Sequence, residues 1–213
     1  MSSRLTKDDF ARMIAGAAAA IRAQHAMLSQ LDSAAGDGDH GSTMLRAVEQ
    51  LERGFATGSP EDLKTCLKEA GWSVLGVDGG ASSSLLGVFI GGMADAGDDD
   101  LASIFEAGLA AIRKQTKAQP GDKTLMDALV PAITAMRAAE DAGKGVGDAL
   151  QDASEAAQAG AEATRNLTAR YGRAKLLGEK TRGHLDPGAA SMSLLFEGFW
   201  RGYGQSKGES GNG

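Results

Sequence analysis

Cysteine and aromatic side chains are scarce in this sequence, and each scarcity excludes a class of structure. The 213 residues include a single cysteine, Cys66, so no disulfide can form within the chain and nothing indicates an oxidising compartment. Its neighbours Leu63, Leu67 and Ala70 are typical of a core segment, and we interpret Cys66 as a small core residue. Aromatic residues make up only 5% of a chain rich in alanine, which favours close-packed helices over sheets.

A surplus of basic charge is also missing, with 22 Lys and Arg against 28 Asp and Glu and a formal net charge of −6. This balance argues against a nucleic-acid partner. An anionic ligand must then be held by a local device, such as a metal ion or a helix N-terminus. We find no N-terminal signal segment and no apolar run long enough to cross a bilayer. The expectation is a soluble, cytoplasmic protein without a membrane partner.

Apolar residues recur at helical spacing in eight segments, beginning with the stripe from Phe10 to Leu31. Short connections between such segments favour antiparallel neighbours. We therefore predict an all-α fold, an up-and-down barrel or bundle of eight antiparallel helices. It would occupy residues 1–203 as one domain, followed by a flexible tail over 204–213. Gly58-Ser59-Pro60 is expected to close the second helix, and His25, on the apolar face of the first, is interpreted as a core histidine.

The connections fall into two chemical classes. Those after helices two, four and six are plain turns of Gly, Ser, Pro and Asp; Asp98-Asp99-Asp100 is one of them, read as a solvated turn with a helix N-cap. Those after helices one, three, five and seven carry carboxylates, glycines, hydroxyls and basic residues. Alternate loops of an up-and-down assembly lie at the same end, so function is expected at one rim of the domain.

The first of these loops contains Asp32, Asp37 and Asp39 within eight residues. Carboxylates this close repel one another and hold their protons unless a cation compensates, and they are hard oxygen ligands of the kind that Mg²⁺ takes together with phosphates. Ser42 is expected to cap the following helix, whose first N–H groups would face the same point. The loop also contains glycines that allow positive φ and close backbone approach: Gly36, Gly38 and Gly41. A solvated Asp-Gly turn is the alternative.

The other three loops add groups that suit an anion. The second offers the small residues Gly79-Gly80-Ala81-Ser82 at a helix start, although a packed helix start would look the same. The third supplies Lys117 and Lys123, for which a solvated surface role stays open. The last supplies Arg173, Arg182, His184 and the turn Asp186-Pro187-Gly188. This combination indicates a Mg-nucleotide site, without a Walker A sequence, a kinase glycine-rich loop or a Rossmann fingerprint.

Five blocks, in order and spread over about residues 6–203, resemble the DhaL family. This is the nucleotide-binding L subunit of bacterial dihydroxyacetone kinase, also present as the C-terminal domain of single-chain dihydroxyacetone kinases. The blocks are Gly36-Asp37-Gly38-Asp39-His40-Gly41, Gly79-Gly80-Ala81-Ser82, Pro120-Gly121-Asp122-Lys123-Thr124, Gly172-Arg173-Ala174 and Gly183-His184-Leu185-Asp186-Pro187-Gly188-Ala189. The resemblance implies a barrel of eight antiparallel helices that holds a nucleotide at one rim.

The resemblance also implies site residues. Two Mg²⁺ ions would be held by three carboxylates: Asp32, Asp37 and Asp39. The phosphates and the rest of the ADP or ATP would be contacted by His40, Gly41, Ser42, Thr43, Ala81 and Ser82, with Thr116 and Leu125 lining the nucleotide pocket. The site would be closed from the last loop by Arg173, Asp186, Pro187 and Gly188. We expect His40 and Arg173 to act in catalysis, although His40 could instead satisfy a neighbouring carboxylate.

Some positions depart from the usual family pattern. Thr43 stands where an asparagine is common, Ser83 where a glycine often follows Ala-Ser, and Leu125 where a methionine is typical. Lys175 and Leu176 replace a small residue and a tyrosine. None of these changes removes a metal ligand; they leave the exact sugar and the rate of nucleotide exchange open.

The implied function is transfer of a phosphoryl group from Mg-bound ATP to dihydroxyacetone or a similar short ketose, held on a separate K subunit. The chain would then act in a hetero-oligomer. Either free ATP exchanges into the site, or a phosphotransferase-system M-type protein rephosphorylates a retained ADP. A nucleotide-binding regulatory or adaptor protein of the same fold is the alternative function.

Overall fold

The computed structural model describes residues 4–34, 36–56 and 62–204; the expected turn at 58–60 and the tail at 205–213 lie outside them. Within that part of the chain there is no strand, and the helices are α1 (Lys7–Ser33), α2 (His40–Gly54), α3 (Leu63–Leu75), α4 (Ala81–Met93), α5 (Leu101–Gln115), α6 (Met126–Asp141), α7 (Val146–Ala163) and α8 (Pro187–Gly204). Two 3₁₀ segments, Thr164–Asn166 and Arg173–Thr181, lie between α7 and α8. Among the helices of the described residues, none combines the length and the apolar content that a membrane span needs.

Local hydrogen bonds begin several helices where the sequence suggests. Thr6 and Asp9 form a capping box at α1, in which the Thr6 hydroxyl accepts the Asp9 N–H at 3.2 Å and the Asp9 carboxylate accepts the Thr6 N–H at 2.9 Å. Asp100 caps α5 by accepting the Ser103 N–H at 3.0 Å, as expected for the triple-aspartate turn. The turn therefore ends in a helix N-cap, as predicted.

The helices form a closed ring. Each helix packs against the next along the chain, and α8 returns to pack against α1. This confirms the predicted barrel of eight antiparallel helices. Closure depends on glycines: a Cβ added to Gly16 would lie 2.1 Å from the carbonyl oxygen of Gly198, and one added to Gly198 would lie 2.3 Å from the Cα of Ala17. The first and last helices approach closely only because these side chains are missing.

Gly198→Ala is expected to weaken this seam. The added methyl group meets backbone atoms of α1, which cannot move aside as a flexible side chain would, and overpacking of this kind costs about 1–3 kcal/mol or more. The thermal midpoint should fall by roughly 5–10 °C for a chain of this size. Gly97→Ala is the matched control, since a Cβ there meets no atom within 4 Å. Equal midpoints for the two variants would contradict the glycine seam.

The phenylalanines fill one end of the barrel. Phe105 lies at the centre, with ring centroids 5.7 Å from both Phe196 and Phe199 and 5.9 Å from Phe89. Phe10 stacks on Phe105 at 6.3 Å and on Phe55 at 6.2 Å, so all six phenylalanines of the chain belong to one cluster. It lies where α1 and α5 begin and α2, α4 and α8 end. The opposite end of the barrel is left for the chemically distinct loops.

Candidate active site

A cavity of about 390 Å³ opens at the end of the barrel opposite the phenylalanine cluster. Ligand pockets typically range from about 300 to 1,000 Å³. Residues from the loops after α1, α3, α5 and α7 all line it, which confirms the prediction that these four loops meet at one rim. Thirteen of the residues expected at the site line the cavity: Asp32, Asp37, Asp39, His40, Thr43, Ala81, Ser82, Thr116, Leu125, Arg173, Asp186, Pro187 and Gly188. Gly41 and Ser42 do not.

The three aspartates of the first loop are close enough to share a cation. One carboxylate oxygen from each of Asp32, Asp37 and Asp39 lies within 4.8 Å of the others. Asp32 also organises the loop, because its carboxylate accepts the Gly38 N–H at 2.9 Å and the His40 N–H at 3.4 Å. Gly38 has a φ of +78°, a conformation that a side chain would strain. The loop is therefore a built turn with its carboxylates converging.

The negative charges of this loop would be balanced by a bound cation. Partial burial and the neighbouring charge of Asp37 raise the pKa of Asp39. The pKa of Asp37 is lowered, chiefly by its bond to the Arg173 guanidinium, with which it forms an ion pair. A divalent cation would relieve the repulsion between these carboxylates, and the all-oxygen ligand set is the kind that Mg²⁺ takes. The residues present therefore fit a magnesium site.

The start of α2 differs from the expectation. Ser42 is not the N-cap, because α2 begins at His40 with Asp39 at the N-cap position. The Ser42 hydroxyl instead donates to the carbonyl oxygen of Asp39 at 2.8 Å, inside the first turn. The N–H groups of Gly38 and His40 donate to the Asp32 carboxylate, and the helix begins three residues earlier than an N-cap at Ser42 would place it.

Gly41 serves the packing of two helices and lies behind the cavity wall. A Cβ at this position would come within 1.8 Å of the His25 carbonyl oxygen, so α2 crosses α1 at that point only because residue 41 is glycine. The expectation that His25 is a core histidine is wrong, because its side chain is exposed and its Nδ1 lies 2.9 Å from the Arg22 carbonyl oxygen. The backbone of His25 packs inward while its ring turns out to solvent.

His40 connects the first loop to the last. It is buried, and its Nε2 lies 3.1 Å from the hydroxyl of Ser191, which donates to the Gly188 carbonyl oxygen at 3.0 Å. With the serine proton directed to Gly188, the tautomer of His40 that carries its proton on Nε2 would donate to the serine oxygen. Burial is the main cause that lowers the pKa of His40, so the ring is neutral near neutral pH. The catalytic role of His40 stays a prediction.

The start of α4 offers unpaired amides to the cavity. Gly80 is the N-cap, and α4 has no side-chain cap bond. Ala81 and Ser82, the first residues of the helix, line the cavity, and the positive end of a helix favours an anion there. A Cβ on Gly79 would lie 2.3 Å from Thr43 Cγ2, so glycine lets the loop before α4 approach α2 closely.

The cavity is also lined by four residues that the sequence did not single out for the site: Leu85, Ala118, Met126 and Tyr171. Lys123, a candidate from the third loop, and Thr124, the last residue of the third block, line it as well. Leu85 follows Ala81 by one helical turn and could have been found from that spacing. No sequence pattern pointed to Tyr171 as a residue of the site. Conversely, Lys117, Arg182 and His184 are exposed and lie outside the cavity wall.

Asp186 is a buried carboxylate at the start of α8. Its carboxylate accepts the Ala189 N–H at 2.8 Å, and its own N–H donates to the Thr164 hydroxyl at 2.9 Å. Burial raises the pKa of Asp186 to about 7, with a smaller contribution from Asp127, while Lys123 acts in the opposite direction.

The raised pKa of Asp186 predicts a pH-dependent stability. A carboxyl group whose pKa is higher in the folded chain favours folding fully below its unfolded value near 4, and this contribution is lost as the pH rises through about 7. Asp186→Asn should remove that dependence, since the amide oxygen can still accept the Ala189 N–H. The free energy of unfolding of the variant minus that of the unmodified protein should therefore increase by about 2 kcal/mol from pH 5.5 to pH 8.5. Urea unfolding at the two pH values measures the gain; equal values would contradict the shifted pKa.

Comparison with known proteins agrees with this geometry. Residues 34–201 match the DAK2 domain. The chain is 39% identical over 176 residues to the "PEP-dependent dihydroxyacetone kinase 1, ADP-binding subunit DhaL" of Listeria innocua, covering 80% of this chain and 83% of that protein. It is also 39% identical over 182 residues to the L-erythrulose 1-kinase of Mycolicibacterium smegmatis, covering 81% of this chain but 31% of that one.

The fold is that of a solved kinase. The crystal structure of the dihydroxyacetone kinase from C. freundii in complex with AMP-PNP and Mg²⁺ superimposes with a TM-score of 0.71 and 28% identity over 90% of this chain. This chain spans about a third of that one, 33% of its length. The match over most of the chain, together with the similarity to the Listeria subunit, confirms the expected family: the chain belongs to the DAK2 domain family, among the DhaL-type subunits.

Proposed function

We propose that this chain is the nucleotide-binding subunit of a dihydroxyacetone kinase, which transfers a phosphoryl group from Mg-bound ATP to a short ketose. One observation carries the proposal: three converging carboxylates share a cavity with the open N-terminus of α4 and with Arg173. A Mg-nucleotide site needs acidic ligands for the metal, and it also needs amide or guanidinium donors for the phosphates. The name of the Listeria relative, an ADP-binding subunit, supports it.

In this proposal the first loop holds the metal. Asp32, Asp37 and Asp39 would ligate two Mg²⁺ ions, and Mg²⁺ supplies neutralisation of the charge on the nucleotide phosphates. Asp37, which pairs with Arg173, would share its carboxylate with the cation, and Arg173 is thereby held beside the place where the phosphates would lie.

The remaining residues bind and orient the nucleotide. The first N–H groups of α4, at Ala81 and Ser82, would donate to phosphate oxygens. Arg173 would form a bidentate contact with the transferred phosphoryl group, where negative charge is spread in the transition state. The apolar wall formed by Leu85, Leu125 and Met126 would exclude water from one side of the nucleotide. Positioning and electrostatic stabilisation thus account for the catalysis, and no covalent intermediate on this chain is needed.

The acceptor is proposed to arrive on a separate K subunit, which places this chain in a hetero-oligomer. Dihydroxyacetone is the first candidate ketose, and the name of the Mycolicibacterium relative keeps erythrulose as the second. ATP exchange or rephosphorylation of bound ADP by a phosphotransferase-system M-type protein would supply the phosphoryl group. The words "PEP-dependent" in the name of the Listeria subunit favour the second route.

Nucleotide binding can be tested directly by thermal unfolding. A ligand at about 100 times its dissociation constant adds about 2.7 kcal/mol to the free energy of unfolding. Mg-ADP should therefore raise the midpoint by roughly 5–10 °C for a chain of this size, and ADP with EDTA should raise it less. An identical midpoint in buffer, in ADP with EDTA and in Mg-ADP would refute the proposed function. Binding without phosphoryl transfer in the presence of a K subunit would favour the regulatory alternative.

A further inference from the structure

Lys123 is a buried lysine in the loop between α5 and α6. Only 5% of it is exposed, although it contributes to the wall of the cavity. Its ammonium group donates to the carbonyl oxygen of Thr164 at 2.6 Å and to that of His184 at 2.5 Å. Thr164 directly follows α7, and His184 lies just before the turn that begins α8. One side chain therefore holds both ends of the last loop.

The loop around Lys123 is built to direct this side chain inward. Lys123 has a φ of +60°, the only positive value for a residue other than glycine in the described part of the chain. Such a conformation persists where the surrounding structure imposes it. Here Asp127 imposes it, since its carboxylate accepts the Gly121 N–H at 2.6 Å and the Thr124 N–H at 2.7 Å. The two bonds bracket Lys123 on either side.

The charge of Lys123 also matters to the turn at α8. Burial lowers the pKa of the lysine, whereas the negative charges of Asp186 and Asp127 raise it, so the ammonium lies near two buried carboxylates. The turn itself packs on the same loop, because a Cβ on Gly188 would lie 3.4 Å from both Cβ and N of Leu125. Lys123 and Leu125 thus contact the last loop on both sides of Asp186.

We infer that Lys123 is a positioning residue for nucleotide binding: by holding the carbonyls of Thr164 and His184 it sets the last loop so that Arg173 and the turn Asp186-Pro187-Gly188 face the cavity. The inference rests on the proposed function. It explains why the block Pro120-Gly121-Asp122-Lys123-Thr124 belongs to the site although its charged side chains bond to protein and not to open cavity. The loop between α5 and α6 thus acts on the nucleotide through the last loop, between α7 and α8.

Lys123→Met tests this role, since methionine has a similar length but neither charge nor donors. Affinity for Mg-ADP is measured by calorimetry, and amide hydrogen exchange of residues 183–188 is measured without nucleotide. We expect the dissociation constant to rise roughly tenfold or more when both charge-assisted bonds are lost. Exchange at residues 183–188 should become faster than in the unmodified protein, because the free loop no longer has its anchor.

Two control variants separate this effect from loss of charge and from loss of stability. Lys117→Met removes an exposed lysine from the same loop, outside the cavity wall. Arg137→Met removes a cation at the opposite end of the barrel, where it donates to Glu106 at 2.7 Å and to Ser103 at 3.0 Å. Arg137→Met should lower the midpoint, yet both controls should bind Mg-ADP within about twofold of the unmodified protein, well short of a tenfold change.

The outcomes distinguish failure of the inference from failure of the proposed function. If the unmodified protein does not bind Mg-ADP, the proposed function fails. If it binds and Lys123→Met binds equally well, the positioning role is wrong. Weaker binding with unchanged exchange at residues 183–188 would also overturn it, since Lys123 would then act on the nucleotide itself.

A second variant decides the matter if Lys123→Met does not fold. Lys123→Arg keeps the positive charge near Asp127 and Asp186, so it should fold. Its larger planar group cannot replace the ammonium between the two carbonyls without displacing one of them. We expect a several-fold rise in the dissociation constant for Mg-ADP together with faster exchange at 183–188. Unchanged affinity would overturn the inference.

Discussion

Asp39→Asn is expected to abolish phosphoryl transfer while leaving the helical content unchanged. Its carboxylate interacts with that of Asp37, whereas Asp32 accepts two backbone N–H groups of the loop and Asp37 pairs with Arg173. The substitution removes one proposed metal ligand and one of three mutually repelling charges. In the absence of metal the free energy of unfolding should stay the same or rise, because the raised pKa of Asp39 indicates a carboxylate that is unfavourable when charged.

The measurement pairs calorimetric titration of Mg-ADP with circular dichroism and an assay of ketose phosphate. Asp98→Asn is the matched control, since Asp98 is an exposed aspartate in the plain turn before α5. Asp37→Ala should lose activity as well, but it also frees Arg173 and is therefore the less clean of the two. Unchanged affinity for Mg-ADP in Asp39→Asn would remove the metal assignment.

Arg173→Lys should lower turnover by about tenfold or more, the effect of losing one charge-assisted hydrogen bond worth about 1.5–3 kcal/mol. Arg173 lies at the start of the second 3₁₀ segment, after Gly172 with its φ of +63°, and lines the cavity. A lysine can keep the ion pair with Asp37, so stability without metal should not change. It cannot offer two parallel N–H groups to a phosphoryl group. The loss should therefore appear in turnover.

The competing view is that Arg173 is a surface residue, which its exposed side chain would also allow. Kinetics with a saturating K subunit and ketose phosphate as the readout separate the two views. Arg182→Lys, an exposed arginine in the same loop but outside the cavity wall, is the control and should keep full turnover. If Arg173→Lys stays within about twofold of the unmodified protein, far from the tenfold expected, the phosphate contact is excluded.

The parts of the site that could be predicted from sequence are those encoded locally. Asp32, Asp37 and Asp39 lie within eight residues, so their convergence needs only a tight turn, and their repulsion signals a cation. The meeting of four loops at one rim follows from up-and-down connectivity alone. Helical spacing of apolar residues predicted the eight helices, because an amphipathic helix depends on residues three and four apart.

The parts that could not be predicted depend on contacts across the fold. Lys123 looks like a surface lysine until α7 and the last loop supply carbonyls 41 and 61 positions away. His25 lies among the apolar residues of α1, but its side chain is exposed, and its carbonyl oxygen is the part that meets α2 at Gly41. Serine is a common N-cap residue, but α2 already begins at His40, whose N–H donates to the carboxylate of Asp32, ten positions before Ser42. In each case the deciding partner is distant in sequence or belongs to another helix.

The gathering of all six phenylalanines at one end gives the barrel an uneven resistance to opening. The helix halves around Phe105 are packed by six large aromatic rings, whereas none of these rings lies at the rim. Amide exchange should therefore slow along each helix from the cavity toward the aromatic end. Nucleotide can then enter and leave through brief opening of the rim while the aromatic half stays intact. Substitutions at the two ends should accordingly differ in kind: those near Phe105 shorten the lifetime of the folded chain, and those at the rim change how quickly nucleotide is released.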